Sequence, residues 1–323
     1  MLSINLIQDN VTYDISQYSG DFTLKDNIKS LGREFNFTFT NNQYYDTYSS
    51  WVSPEMGDTV AVYDDGELIY QGQIIKESRI DVCNYNYVCF DNAFYLNKNQ
   101  CRIQFNNITV KQAIERLCSQ ENIPCKVDCD INTKVTKIYN GEIISKIIDD
   151  LLKLDTDETG IKYRREYNYG SLYINAFKYL KMIYDKEPLV GDFNTTRSIE
   201  NLANKIVIIS GSEKQVQIVS TKSDEESIKK YGQWTHYEKV DKNKKGNADK
   251  IAQQKLKELN KVKKECSLTL WGDNYVRSGR ILKFNQPKIG LVGEFLVTSC
   301  EHTYKGDIHT MSCELEMNDI DER

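Results

Sequence analysis

Only four prolines and three histidines occur among the 323 residues, and the nine cysteines never form a Cys-x-x-Cys pair. Scarce proline leaves little material for rigid linkers. Three histidines restrict acid–base and metal chemistry to a few combinations. Nine scattered cysteines, an odd number, fit reduced core thiols better than a disulfide framework or a zinc cluster. No Gly-x-Ser-x-Gly elbow, His-Glu-x-x-His pair, Walker loop or glycine-rich dinucleotide turn is present, which removes the commonest sources of catalysis and cofactor binding. No stretch approaches the roughly 18 consecutive apolar residues of a membrane helix. The opening MLSINLIQDN has neither the basic region nor the apolar length of a signal peptide. A net charge of −5, spread along the chain, sets up no global field for nucleic acid or membrane. These absences lead us to expect a soluble protein made in the cytoplasm, with no cofactor, no metal, no specific nucleic acid and no membrane insertion.

What is abundant is tyrosine, 21 residues against 11 Phe and 3 Trp, a residue suited to half-buried strand and interface positions. At 323 residues the chain suggests two or three domains. Residues 1 to about 105 read as strands: SINLIQ, VTYDIS, DFTLKD, EFNFTFT, DTVAVYD, ELIYQGQIIKE and YNYVCFD, with Asp65-Gly66 as a hairpin turn. The pattern then changes. Thr109 and Gln112 form a capping box for a helix carrying Val110, Ala113, Ile114, Leu117 and Cys118, stopped by Asn122 and Pro124. A second helix is predicted from about Gly141 to Leu154. Its wide Ile/Leu stripe is expected to pack on the strands after it, IKYRREY, SLYINAF and KMIYD, with Tyr169-Gly170 as a turn. Strands resume with NKIVIIS and KQVQIVS around Gly211-Ser212. They give way to a Ser223/Glu226-capped helix closed by Gly232, a polar segment QWTHYEKVD, and a helix from about Ala248 to Lys264.

One stretch, ECSLTLWGDNYVRSGRILKFNQPKIGLVGEFLVTSCEH from Glu265 to His302, is echoed by an earlier one. Glu34-Phe35-Asn36-Phe37-Thr38-Phe39 matches Glu265-Cys266-Ser267-Leu268-Thr269-Leu270 in polarity, residue by residue. Gly57 then matches Gly279 and Gly72 matches Gly293, the second glycine following by fifteen residues in one copy and fourteen in the other. Period-two alternation makes both copies the same antiparallel meander. Two such units per chain would let three chains form a six-membered ring.

Four groups could carry chemistry. Cys300, His302, His309 and Cys313 lie in the hairpin CEHTYKGDIHTMSC. A Gly306-Asp307 turn would set Cys300 opposite Cys313 and Tyr304 opposite His309, with all four on one face. Zinc prefers closely spaced pairs that wrap the ion, and the face continues into Met311, Leu315 and Met317, so a half-buried strand face is the better reading. A nucleophile pair of Cys300 with His302 or His309 would suit a cell-wall hydrolase but lacks an orienting third group. The lysines Lys242, Lys244, Lys245, Lys250, Lys255, Lys257, Lys261, Lys263 and Lys264 read as a solvated helix face without interleaved aromatics. The loop holding Tyr44, Tyr45, Tyr48, Trp51 and Pro54 is a carbohydrate platform or, preferably, a subunit contact. No catalytic, cofactor or metal residue is assigned.

The last third carries a likeness. Ser198-Ile199-Glu200-Asn201-Leu202, Asn204-Lys205-Ile206-Val207, Ser227-Ile228-Lys229-Lys230-Tyr231-Gly232 and Gly279…Gly293-Glu294-Phe295…His302…Gly306 resemble the XkdQ/YqbQ-type baseplate hub proteins of contractile phage tails and R-type bacteriocins. The resemblance implies two similar barrel-like domains alternating around a homotrimeric ring that adapts a tail tube to a spike. It also implies contacts to other baseplate proteins and assembly in the host bacterium before incorporation into a virion or tail-like particle. With the residue reading, the expected fold is a β-rich α+β multidomain chain. It comprises a first β-barrel-like domain over 1–105, an α+β domain over 106–187, a second β-barrel-like domain over 188–222 and 263–317, a helical insertion over 223–262 and an acidic tail over 318–323. The expected role is structural. The rival expectations are a peptidoglycan hydrolase and a carbohydrate-binding tail module.

Overall fold

The computed structural model describes residues 2–41, 52–168, 170–184, 193–212, 215–240, 247–287 and 291–317. Within these, thirteen strands join in one sheet, accompanied by smaller sheets of two, three and three strands. Five helices complete the fold: α1 (Ala93–Lys98), α2 (Val110–Gln120), α3 (Ile144–Thr159), α4 (Glu225–Tyr231) and α5 (Ala248–Leu259). The Tyr44–Trp51 loop, Lys242, Lys244, Lys245, Tyr169 and the acidic tail fall outside the described residues.

All seven early strands form, because alternation places Phe35, Phe37 and Phe39 in the core and leaves Asn36 and Thr38 half-buried on the other face. Asp65 and Gly66 both take positive φ, 47° and 84°, as a two-residue hairpin turn requires. In the second half, Cys266, Leu268 and Leu270 alternate inward in the same way.

The echo in the sequence is an echo in hydrogen bonding. The strand order Glu34–Thr40, Asn84–Phe90, Glu67–Arg79, Thr59–Asp64 recurs as Lys263–Trp271, Ile308–Met317, Leu291–Lys305, Ile281–Gln286. Phe35 and Ile74 flank Cys89, while Cys266 and Val297 flank Leu315. The central strand bulges just after these positions, between Ile74 and Lys76 in one unit and between Val297 and Ser299 in the other. Gly57 N–H donates to the Ile74 carbonyl and Ile74 N–H to that of Asp58, at 2.9 Å each; Gly279 and Val297 repeat this with Val297 and Arg280 at 2.7 and 2.9 Å.

This register corrects one part of the sequence match. Gly72 corresponds to Phe295, two residues beyond Gly293, because Gly57 and Gly279 fix Ile74 against Val297. The two second glycines also do different work. A Cβ at Gly72 would lie 2.4 Å from the Phe90 carbonyl oxygen, whereas one at Gly293 would meet only Met317 Cε, at 4.0 Å, and Gly293 has φ of +116°. Neither unit closes into a barrel through the described strands. The path runs open from Asn194–Ser198 at one end to Val11–Asp14 at the other.

Other expectations shift where tertiary packing decides. The helix forecast from Gly141 begins at Ile144 and ends at Thr159 under a left-handed Gly160 cap, since residues to Ile143 pair with Gln100–Thr109. It packs mainly on α1, α2 and the strand before it. Within KMIYD, Lys181–Ile183 leaves the α+β segment and pairs in parallel with Ile281–Lys283 of the large sheet. The strands Lys205–Ser212 and Gln215–Ser223 do not enter the second unit. They pair with each other, and Lys205–Ser212 pairs on its other side with Thr235–Val240, under α5, around Ile206, Ile208, Val240, Ile251 and Ala252. The inserted body therefore starts near residue 205, before 223, and includes strands as well as helices. Asp224, not Ser223, caps α4 by accepting from Ser227 N–H.

The repeated glycine gives a direct test. Gly57 and Gly279 share φ near +90°, but a Cβ at position 279 would also sit 2.7 Å from Arg164 Cδ, while position 57 is open. Gly57→Ala is expected to cost ~1–2 kcal/mol from backbone conformation alone. Gly279→Ala should cost ~1–3 kcal/mol more from overpacking. Urea-denaturation midpoints of the two variants check the difference.

Candidate assembly interface

The two repeated units meet through strand Ser19–Asn27. It pairs with Glu34–Thr40 inside its own unit and, on its other edge, antiparallel with Leu291–Lys305 of the second. Asn27 faces Ser299, Asp26 faces Cys300, Lys25 faces Glu301, and Phe22 faces Tyr304, whose rings stack at 4.5 Å. A loop of the second unit reaches across to the Asp65-Gly66 hairpin. Asn274 Nδ2 donates to Asp64 at 2.8 Å and the Tyr275 hydroxyl donates to Glu67 at 3.1 Å.

Over this joint lies a buried ionic cluster drawn from three parts of the chain. Arg164 of strand Tyr163–Asn168 donates to Asp26 at 3.2 Å, to Ser278 Oγ at 2.7 Å and to the Ile28 carbonyl at 3.2 Å. Arg277 Nε lies 3.4 Å from Asp26, and Arg280 makes a two-point contact with Glu166 at 3.0 and 3.1 Å. Asp26, Arg164, Glu166 and Arg277 are each at most 7% exposed. Burial by itself would raise the Asp26 carboxyl, but Arg164 and Arg277 overcome it and hold the group below the usual carboxylate range. Burial is likewise outweighed at Glu166, by Arg277 and Arg280. Arg33 and Asp91 extend the cluster more loosely at 4.0 Å, and burial leaves Asp91 pushed up to about 6. The missing Cβ of Gly279 makes room for the Arg164 stem, so one glycine serves both the repeat and the lock.

The sequence pointed elsewhere for its charged and sulfur groups. The hairpin pairs as expected, Cys300 with Cys313 and Tyr304 with His309, and the four candidate ligands share a face. They form a linear chain of contacts: Cys313 Sγ to Cys300 Sγ 3.5 Å, Cys300 Sγ to His302 Nε2 3.3 Å, His302 Nδ1 to His309 Nε2 2.9 Å. His302 Nε2 also lies 2.8 Å from the Val276 carbonyl. A carbonyl only accepts, so Nε2 carries the proton and Nδ1 accepts from His309. The hydrogen bond with Cys313, then burial, push the Cys300 thiol well above its ordinary value, which opposes a thiolate nucleophile. Among the described residues no group of three or more His, Cys, Asp or Glu is placed to hold a metal ion. All nine cysteines are free thiols. Among the described lysines of the run, Lys255 pairs with Glu258, Lys263 with Glu265 and Glu316, and Lys250 donates to the Glu158 carbonyl.

Sequence reading missed Arg164 and Glu166. The available signal was IKYRREY itself, where two charges at i and i+2 share one face of a strand. A charged inward face needs partners, and these lie more than 100 residues away in both directions.

Two measurements probe this region. Asp26→Leu leaves Arg164 and Arg277 buried with less compensation, and is expected to cost ~3–5 kcal/mol. Asp26→Leu combined with Arg164→Met should cost less than the sum of the singles, as a double-mutant cycle in denaturant would report. His302, pushed down to about 4 by burial, is neutral when folded and takes up a proton when unfolded. Its folded value lies below the unfolded one, so its contribution is present above pH ~6.5 and is lost as pH falls toward 4, by ~3 kcal/mol. Asp91, raised by burial, titrates with the opposite sign in the same window. The comparison that isolates His302 is therefore wild type against His302→Gln, whose stability should fall less between pH 7 and pH 4.

A family model described as YQBQ-like matches residues 22–316. The phage-like element PBSX protein XkdQ of Bacillus subtilis (strain 168) is 26% identical over 289 residues, 88% of this chain and 87% of that protein. A 43 kDa tail protein of prophage MuSo2 from Shewanella oneidensis superimposes with a TM-score of 0.71 at 15% identity, covering 98% of each chain. The c3393 protein of E. coli, a component of the type VI secretion system with structural similarity to the T4 bacteriophage tail proteins gp27 and gp5, gives a TM-score of 0.56 at 12% identity, over 94% of this chain and 74% of that one. A family match over residues 22–316, on a fold of repeated, edge-joined β-units, leaves one assignment: the chain belongs to the YQBQ-like family, the XkdQ type that its last third resembles.

Proposed function

We propose that this protein is a structural component of a phage-type tail baseplate, and within it the hub. Three copies would form a ring of six similar β-units that joins the tail tube above to the central spike below. The observation that carries this reading is the internal repeat: two units with one strand order, one bulge position and one glycine-anchored register, already joined edge to edge within a chain. Two similar but non-identical units per chain allow a threefold assembly to present a nearly sixfold face. The relatives support it by what they are: a phage-like element protein, a prophage tail protein, and a secretion-system component with likeness to T4 tail proteins.

The role is architectural rather than catalytic. Cys300, the one cysteine beside a histidine, is fully buried and thiol-bearing, and its neighbours satisfy one another. Assembly in the bacterial cytoplasm and incorporation into a virion or tail-like particle follow from the same reading, as do contacts with tube, spike and other baseplate proteins.

Light scattering on the purified protein tests the stoichiometry. A ring of three gives about three times the 37.5 kDa chain mass, and electron microscopy of the same sample should show six similar lobes. A particle with two- or fourfold symmetry would sink the hub reading.

A further inference from the structure

The intrachain joint has a counterpart that is left unmade at two strand edges of the large sheet. Register equivalence fixes it. Thr195 faces Cys266 as Leu24 faces Phe35, so Asn194–Ser198 is the second unit's version of Ser19–Asn27. Lys76 faces Val88 as Ser299 faces Glu314, directly after the shared bulge, so Lys76–Arg79 is the first unit's version of the stretch of Leu291–Lys305 that receives Ser19–Asn27. In the second unit that stretch has strands on both sides. In the first, Lys76–Arg79 pairs only with Asn84–Phe90 among the described strands, and Asn194–Ser198 pairs only with Lys263–Trp271 at the end of the sheet path.

We propose that these two edges meet between copies of this chain: strand Asn194–Ser198 of one copy adds antiparallel to Lys76–Arg79 of the next, in the register of the intrachain joint. The proposal deepens the ring reading above and rests on it. Transferring the observed pairs one by one, Ser299 with Asn27 becomes Lys76 with Ser198, and Cys300 with Asp26 becomes Glu77 with Arg197. Glu301 with Lys25 becomes Ser78 with Thr196, and His302 with Leu24 becomes Arg79 with Thr195. The transferred register thus sets a carboxylate against a guanidinium, and both Glu77 and Arg197 are exposed in the single chain. No like charges face each other in these four pairs.

The chemistry of the two joints differs in a way that suits their roles. Within the chain, Asp26 is buried under Arg164 and Arg277, a permanent lock. Between copies, the equivalent position is Arg197, which meets Glu77 without any overlying cluster, so this joint forms and releases with concentration and salt. Charged side chains on both edges also hinder unspecific strand addition while favouring one register. The contact is heterologous, each copy offering one edge and receiving another, so repetition closes a ring when the rotation allows.

Charge reversal with rescue tests it, by sedimentation over a concentration series. Glu77→Arg and Arg197→Glu should each raise the dissociation constant of the assembly by about tenfold or more, since each sets like charges directly opposite. The combined variant Glu77→Arg/Arg197→Glu should recover most of the loss. Ser78→Pro, which obstructs an incoming strand on an exposed edge, should abolish assembly, with circular dichroism confirming that the chain stays folded. Assembly of the wild type that is indifferent to all four variants overturns the edge proposal and leaves the ring reading standing. A wild type that stays monomeric throughout the series overturns both.

Discussion

The pairing of Ser19–Asn27 with Leu291–Lys305 is the constraint from which the rest of the architecture follows. It brings together strands more than 260 residues apart and merges two small sheets into one. Closing so long a loop carries a large entropic cost, and six paired residues do not repay it alone. The repayment comes from what the joint positions. Asp26 sits on the joining strand and is gripped by Arg164 of the middle segment and Arg277 of the second unit. Glu166 and Arg280 then fix the middle segment to the loop before Ile281–Gln286 in the second meander.

A buried ionic cluster is a poor source of net stability, because desolvation consumes most of its Coulombic gain. Its value here is geometric. Apolar surfaces between two sheets and a helical segment tolerate sliding and rotation, whereas guanidinium–carboxylate contacts at about 3 Å accept few orientations. In the proposed hub, which has to hold two similar units at a fixed angle, such a cluster has a reason to be kept. The loop that supplies Arg277 and Arg280 also holds Gly279, the glycine of the repeat, whose missing side chain admits Arg164. The repeated meander thus meets the middle segment at a position the two units share.

The same contrast explains the Cys/His hairpin. Its residue types invite zinc or a nucleophile, but one strand face in an antiparallel ribbon places ligands in a row rather than around a point. His302 donates to the Val276 carbonyl, accepts from His309, and thereby ties the loop before Ile281–Gln286 to the strand that carries the joint. Four polar and sulfur side chains satisfy one another, and the result is packing.

Much of this was determined by the sequence alone. Period-two alternation in EFNFTFT and ECSLTL located both meanders, Asp65-Gly66 and Gly306-Asp307 marked their turns, and the glutamate-led match carried the repeat into register at Gly57 and Gly279. These are local rules, decided by neighbours a few residues away. What only the tertiary structure decided was everything that depended on distant partners. Gly72 and Gly293 looked equivalent because both are glycine, yet one avoids a carbonyl and the other adopts a conformation barred to side chains. NKIVIIS and KQVQIVS read as strands of the second β-unit, and nothing local could tell them to form a separate sheet in which Lys205–Ser212 pairs with Thr235–Val240. Arg164 and Glu166 showed as charges on a strand's inner face, but the groups that make that tolerable lie in two distant stretches of chain, Asp26–Ile28 and Arg277–Arg280. Alternation says which side of a strand is covered; only the fold says by what.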